Sequence, residues 1–277
     1  MADSSGTVMR KLSRRDIPAA LELSTEAGWN QTYEDWSALL ELTPEGCLAI
    51  EVEGELATTT TLLCYGRRLA WIGMVLTRTR YRGRGFARRL LTQALNLADQ
   101  MQVESVKLDA TDQGRPVYEK LGFRCEQVVE RWWRTAETKL AGGSVNDQPE
   151  PRDNWRDVDL CVFGADRGEL LSNLARRNPP FAFGNSYLFS RPGRMSSYLG
   201  PCVSETSDSA RSLMEKAMRT SSPGGWSWDL LPTNLEAVAL ARLLDFTPKR
   251  HLTRMVRGRE QLGNQRAIYA TAGFELG

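Results

Sequence analysis

The stretch that most constrains this chain is Val75-Leu76-Thr77-Arg78-Thr79-Arg80-Tyr81-Arg82-Gly83-Arg84-Gly85-Phe86-Ala87-Arg88-Arg89-Leu90-Leu91. An extended apolar run, Leu69 to Thr77, gives way to a basic turn with two glycines, and the turn opens directly into a helical pattern. The first N–H groups of a helix have no partner inside it, and the helix dipole adds partial positive charge there. Such a turn is an anion site. Gly83 and Gly85 remove the Cβ atoms that would hold a phosphate off the backbone, while Arg82, Arg84 and Arg88 surround it with charge. The residues point to a bound pyrophosphate.

The rest of the composition narrows the field. With 36 basic and 34 acidic residues the net charge is +2, so no bulk field draws the chain to nucleic acid or a membrane surface. The arginines between 78 and 89 therefore belong to a local site. No run reaches the roughly 18 apolar residues of a spanning helix, and residues 1–6 lack signal-peptide character. Five widely spaced cysteines with no Cys-x-x-Cys pair read as reduced core thiols of a cytoplasmic protein. The single histidine, His251, stands among Lys249, Arg250 and Arg254. No metal site and no histidine-based triad is expected, and His251 reads as exposed.

Residues 1–138 read as one α/β unit. A strand at Val8–Leu12 leads into a helix starting at Arg15-Asp16-Ile17-Pro18, then a second helix at Tyr33–Leu42. Strands follow at Cys47–Val52, Leu56–Tyr65 and Leu69–Thr77, the first two joined at Glu53-Gly54. The helix after the glycine turn runs to about Gln102, followed by a strand at Val106–Leu108, a short helix at Arg115–Leu121 and a strand at Cys125–Trp133. Hairpins followed by strand–helix–strand predict an α+β mixed sheet with a helix-flanked parallel part. Residues 139–155, polar and without periodicity, read as a linker. A second α/β unit takes residues 156–277, with helices near Gly168–Arg176, Ser209–Met218 and Leu235–Leu244. Its strands fall near Met195–Val203, Trp226–Leu231 and Thr253–Arg257.

Written as Arg82-x-x-Gly85-x-Ala87, the turn resembles the signature of the GNAT superfamily of acyl-CoA-dependent N-acetyltransferases. Val117-Tyr118-Glu119-Lys120-Leu121-Gly122-Phe123, at the right distance downstream, is similar to the run that closes the GNAT core. The resemblance covers roughly residues 5–135. It implies acetyl-CoA as cosubstrate, with backbone groups of Val75, Leu76 and Thr77 pairing with its pantetheine arm. The turn Arg82-Gly83-Arg84-Gly85-Phe86-Ala87-Arg88 would hold the pyrophosphate, and Tyr118 would protonate the departing thiolate. A phenol with a pKa of about 10 carries the proton this requires. Many members have Asn where this chain has Thr111, whose hydroxyl could substitute in part.

The second half echoes the first at a constant offset of 123 positions. Leu243-Leu244-Asp245-Phe246 resembles Lys120-Leu121-Gly122-Phe123, and Ala210 to Met214 resembles Ala87 to Leu91. Asn234 restores the residue lost at Thr111, but Ala241 stands for Tyr118 and Asp208 for Gly85, with Glu205 nearby. A carboxylate at the phosphate turn repels the ligand. The chain thus resembles two-domain GNAT proteins with a degenerate C-terminal repeat that does not bind CoA in the usual way. The closing segment Ile268–Gly277, whose Tyr269-x-x-x-Gly273-Phe274 imitates the core signature, should be docked near the cleft between the domains.

These readings predict direct acetyl transfer to the amine of a small polar metabolite. Trp29, Asn30 and Tyr33, between the first two helices, offer an apolar wall and hydrogen bonds on the side where GNAT folds commonly take the acceptor. A base must deprotonate the amine, and the sequence does not single one out among Asp109, Glu51 and Asp229. A non-catalytic acyl-CoA sensor is the alternative, and nothing in the sequence sets an oligomeric state.

Overall fold

The computed structural model describes residues 6–136, 154–220, 222–260 and 263–277. The linker expected at 139–155 lies almost entirely outside the described residues.

Strand β1 (Thr7–Lys11) is followed by helices α1 (Ile17–Glu26) and α2 (Tyr33–Leu42), then by strand β2 (Cys47–Val52). α2 starts at a reciprocal cap: the Thr32 hydroxyl accepts from the Asp35 N–H (3.2 Å) and the Asp35 carboxylate accepts from the Thr32 N–H (2.9 Å). β3 (Glu55–Tyr65) and β4 (Leu69–Thr77) extend the hairpins, and α3 (Phe86–Gln100) follows the basic turn. β5 (Ser105–Ala110), α4 (Arg115–Glu119) and β6 (Arg124–Arg134) complete the first half. The second half opens with α5 (Trp155–Phe163) and α6 (Gly168–Arg177), then β7 (Phe181–Phe183), β8 (Ser186–Arg191) and β9 (Ser197–Val203). α7 (Ser207–Met218), β10 (Trp226–Leu230), α8 (Leu235–Leu243), β11 (Thr247–Gly258) and β12 (Ile268–Ala270) follow. Sequence patterning anticipates most of these elements but passes over α5, β7, β8 and β12, whose stretches are short and weakly periodic.

All twelve strands join one mixed sheet, in the order β1-β2-β3-β4-β5-β11-β6-β10-β9-β8-β7, with β12 paired to β9. The two halves exchange strands. β11, from the second half, runs antiparallel between β5 (Thr253 opposite Ala110, Val256 opposite Lys107) and β6 (Leu252 opposite Val129). In return β6 runs between β11 and β10, with Trp228 opposite Trp132. Each half has its last sheet position filled by the other.

Alternation along the strands divides the core between the two sheet faces. One face packs α1, α2, α5, α6 and the C-terminal tail into a single cluster that includes Trp36, Trp71, Tyr187 and Leu276. On the other face α3 and α4 pack Leu90, Leu91, Tyr118 and Phe123 over the first half. α7 and α8 do the same for the second half with Leu213, Met214 and Leu240. The five cysteines are free, but only Cys47 and Cys202 are buried; Cys125 and Cys161 are exposed, so they are not the core thiols expected. His251 is exposed on β11.

Residues 1–136 alone would leave β5 and β6 without the strand that separates them, exposing unpaired backbone groups and apolar side chains. We expect that fragment to show no cooperative urea transition by circular dichroism, while the whole chain unfolds in a single one. A cooperative transition in the fragment would refute the dependence.

Candidate active site

Parallel pairing between β4 and β5 is confined to Ala70 with Val106 and Trp71 with Lys107, after which the strands splay. The splay opens a cleft of about 680 Å³ at their C-terminal ends. The β4 side is shaped by a bulge at Met74, whose φ is 49°. A bulge takes carbonyls out of the ladder, and the threonine run of β3 supplies replacements. Thr58 Oγ1 donates to the Leu76 carbonyl (2.6 Å), and Thr59 Oγ1 donates to that of Met74 (2.8 Å). The buried Thr58, Thr59 and Thr60, which look like ordinary strand filling, thus hold the distorted backbone that borders the cleft.

The basic turn forms the outer rim. Gly83 (φ 76°) and Gly85 (φ 77°) are both left-handed, a conformation that disfavours other residues, and no atom stands within 4 Å of where their Cβ atoms would lie. The arginines divide their work. Arg78 is anchored by Glu22 (3.2 Å) and Glu55 (3.2 Å), and Arg80 pairs with Glu55, which fixes the turn against α1 and β3. Arg82 and Arg88 line the cleft and have no carboxylate partner among the described residues. Arg84 departs from expectation: its guanidinium lies over Tyr81 (5.6 Å) and Phe86 (4.9 Å) and is not part of the cleft wall. Val75, Leu76, Thr77, Gly83, Gly85, Phe86, Ala87 and Thr111 all line the cleft. Thr111 Oγ1 accepts from the Gly114 N–H (3.1 Å).

Tyr118 reaches the cleft from α4, buried and edge-on to Phe123. Burial pushes its phenol up, so it holds its proton at any physiological pH. On the opposite wall Trp29 lines the cleft, but its two predicted companions do not. Asn30 is consumed internally: Nδ2 donates to the Ser196 carbonyl (2.8 Å) and Oδ1 accepts from the Met195 N–H (2.7 Å), tying the first half to the second. Tyr33, the first residue of α2, is 48% exposed and points away. The neighbour that does line the cleft is Gln31, a residue sequence reasoning missed.

Comparison with known proteins places the chain in a family. The profile of the Acetyltransferase (GNAT) family matches residues 11–123, and that of an Acetyltransferase (GNAT) domain matches residues 156–270. The chain belongs to the GNAT acetyltransferase family. It is a two-domain N-acetyltransferase. A Bacillus subtilis relative, the uncharacterized N-acetyltransferase YitH, is 25% identical over 219 residues, 74% of this chain and 76% of that protein. A solved protein from Pyrococcus horikoshii shares the fold at a TM-score of 0.82, with 20% identity over 100% of this chain and 98% of that one. A GCN5-related N-acetyltransferase from Sphaerobacter thermophilus does so at 0.67, with 14% identity over 98% and 100%.

The cleft draws on the second repeat for its floor. The C-terminal tail crosses the sheet beneath the cleft: Trp71 Nε1 donates to the Phe274 carbonyl (2.9 Å), and Tyr65 donates to that of Leu276. Gly73 makes room for it, since a Cβ there would meet the Glu275 carbonyl oxygen at 2.6 Å. The tail therefore docks at the junction of the repeats, as the sequence suggested, and brings Phe274 and Glu275 into the cleft wall.

The three carboxylates that sequence offered as bases are otherwise engaged. Glu51 accepts from Arg10 Nε (2.9 Å), away from the cleft. Asp109 accepts from Arg254 through two bonds (2.9 and 3.0 Å), and Asp229 from Arg131 through two (2.6 and 2.6 Å). Both pairs bridge strands of opposite halves. Glu275 is the carboxylate missed: buried, on the cleft wall, 3.2 Å from Arg191 Nη2. Burial pushes its carboxyl above the ordinary range, with Arg191 and Arg131 pulling the other way.

In the second GNAT repeat the corresponding cleft is filled by the chain itself. β9 and β10 pair in parallel only through Trp228 opposite Leu199, and β12 then lies along β9, with Ile268 opposite Val203. Trp228 Nε1 donates to the Tyr269 carbonyl (2.7 Å), and the Thr271 N–H donates to that of Asp229 (2.9 Å). Asn234, the residue this repeat kept, caps α8 by accepting from the Ala237 N–H (3.1 Å) and donates to the Ile268 carbonyl (3.0 Å). Asp208, expected to repel a phosphate, is exposed. A peptide strand occupies the groove before charge can matter.

Removing one partner of a buried pair leaves an uncompensated charge, which costs roughly 3–5 kcal/mol. We expect Asp229→Ala to lose that much in urea unfolding, and Asp229→Leu combined with Arg131→Met to recover most of it. A loss below about 1 kcal/mol in the single variant would contradict the role given to this pair.

Proposed function

We propose that this N-acetyltransferase moves an acetyl group from acetyl-CoA to the amine of a small polar metabolite, by direct transfer in a ternary complex. The observation that carries the reading is the splayed cleft with a left-handed glycine turn at its rim and a protonated tyrosine in its wall. Acetyl-CoA supplies a thioester carbonyl for the amine to attack. Backbone groups of the Val75–Thr77 stretch of β4, beyond its last pairing with β5, hold the pantetheine arm as an added strand, and the N–H near Leu76 faces the oxygen that gains charge. Gly83 to Arg88, at the start of α3, hold the pyrophosphate.

Glu275 is the base in this scheme. It takes one proton from the ammonium form of the acceptor, so that the nitrogen lone pair can form the new C–N bond. As the C–S bond breaks, Tyr118 gives its proton to the leaving sulfur. The second proton, released by the nitrogen once the C–N bond has formed, returns to the Tyr118 phenolate through solvent and restores the phenol. The amine must be neutral to attack, and a carboxylate whose affinity for protons is raised by burial is suited to the task.

At acetyl-CoA about a hundredfold above its Kd, binding should add roughly 2.7 kcal/mol to stability. We expect the resulting upward shift in Tm for the natural protein and none for Gly85→Asp, whose side chain would be strained at φ 77° and carry the wrong charge. No shift in the natural protein would overturn the cosubstrate. Tyr118→Phe should keep the shift while kcat falls by roughly 10²-fold or more.

Because the base must be ionised, kcat should rise with pH through the pKa of Glu275, above the ordinary carboxylate range. Glu275→Gln should lower kcat and flatten that limb of the profile while acetyl-CoA still binds. An unchanged profile would remove Glu275 from the chemistry.

A further inference from the structure

Three arginines lie on the side of the sheet away from α3, over Trp71 and Phe274, and differ in one respect; Arg131 and Arg250 line the cleft and Arg254 does not. Arg131 and Arg254 are each saturated by a buried carboxylate in two-bond geometry. Arg250, between them on that side of β11, forms no ion pair among the described residues, and its buried Nε has no hydrogen-bond partner. Its guanidinium lies over the Phe274 ring at 5.1 Å. The nearby carboxylates do not compensate it, since Asp229 is taken by Arg131 and Glu275 by Arg191. Two closed pairs and one open cation leave a local charge of about +1, held where a charge is costly unless paired.

Position decides what this cation awaits. Arg250, Leu252 and Arg254 alternate onto the sheet face of Trp71, over which Arg254 lies at 4.6 Å. Met255 points to the other face, into the core under α3. Arg250 and the glycine turn therefore serve opposite sides of the sheet, and a phosphate bound at α3 does not neutralise Arg250. On the Arg250 side a second polar atom is unpaired: Gln31 Oε1, buried, on a residue that is 6% exposed and lines the cleft. A cation without an anion and an acceptor without a donor flank the apolar surfaces of Trp29 and Phe274.

We infer that the acceptor carries an anionic group, carboxylate or phosphate, in addition to its amine, with Arg250 binding the anion and Gln31 Oε1 accepting from the amine. The inference rests on the acetyl-transfer reading above and names its substrate class: amino acids, ω-amino acids or aminoalkyl phosphates. Planar two-bond recognition of such groups is what a guanidinium does best. An unpaired cation on this wall repels a polycationic acceptor.

The test is thiol release from acetyl-CoA with matched acceptor pairs: amino acids against their carboxamides, ω-amino acids against the corresponding alkylamines, and phosphoethanolamine against ethanolamine. Acetyl-CoA-induced thermal stabilisation is measured in parallel on the same samples. The natural protein should favour the anionic member of at least one pair at least tenfold in kcat/KM. The pair showing it tells carboxylate from phosphate. Arg250→Gln should collapse that ratio toward one, mainly by raising KM, and Arg250→Lys should restore part of it. The thermal shift reports whether each variant is folded and still binds acetyl-CoA. Neutral members used as well as anionic ones, or a ratio that survives in Arg250→Gln, would overturn the inference. So would a normal acetyl-CoA shift with no turnover of any pair, and that result would leave the cosubstrate reading standing. Absence of the shift in the natural protein would remove the reading itself, and the inference with it.

Discussion

The exchange of β11 and β6 between the two halves is the constraint on which the rest of this structure depends. An unpaired central strand would expose a full row of backbone donors and acceptors, so neither half can close its sheet without the other. The exchange has a chemical consequence. It delivers Arg250 and Leu252 from the second half to the wall of a cleft built by the first, with Arg254 holding the cleft residue Asp109. The repeat that has lost its own cleft thus furnishes part of its neighbour's.

Buried charge is organised around the same seam. Asp109 with Arg254 and Asp229 with Arg131 each join strands of opposite halves through two hydrogen bonds. Such pairs add little net stability over apolar packing, but they penalise any register in which a partner is lost. The C-terminal tail completes the arrangement. It fills the second groove with β12, then crosses to the first cleft, where Gly73 and Trp71 receive it. Two sites with one ancestry of form are thereby made unequal: one holds a peptide strand, the other stays open.

Much of the active cleft was legible in the chain because it is local. The Arg82–Arg88 turn, its glycines, the strand before it and the helix after it lie between Leu69 and Gln100, and hydrophobic period changes mark their boundaries. Tyr118 was legible through the run that follows it. Asn30 and Tyr33 misled because their neighbourhood was right and their orientation was not visible. Period and capping locate a loop, but they do not say which of its side chains a distant segment such as Met195-Ser196 will claim. Arg84 was counted with its basic neighbours, although stacking on Tyr81 and Phe86 gives it another use.

Sequence by itself determined the element order, the anion turn and the relation of the two repeats, since each is written in short-range pattern or in a constant offset. Tertiary structure alone decided which carboxylates were free and which groove stayed open. It also decided that Gln31, Arg250, Phe274 and Glu275 would meet at one wall. Those outcomes depend on strand exchange, between residues such as Arg131 and Asp229 or Asp109 and Arg254, and on tail docking, between residues such as Trp71 and Phe274, all far apart in the chain. Burial and pairing there are set by partners that no local window contains.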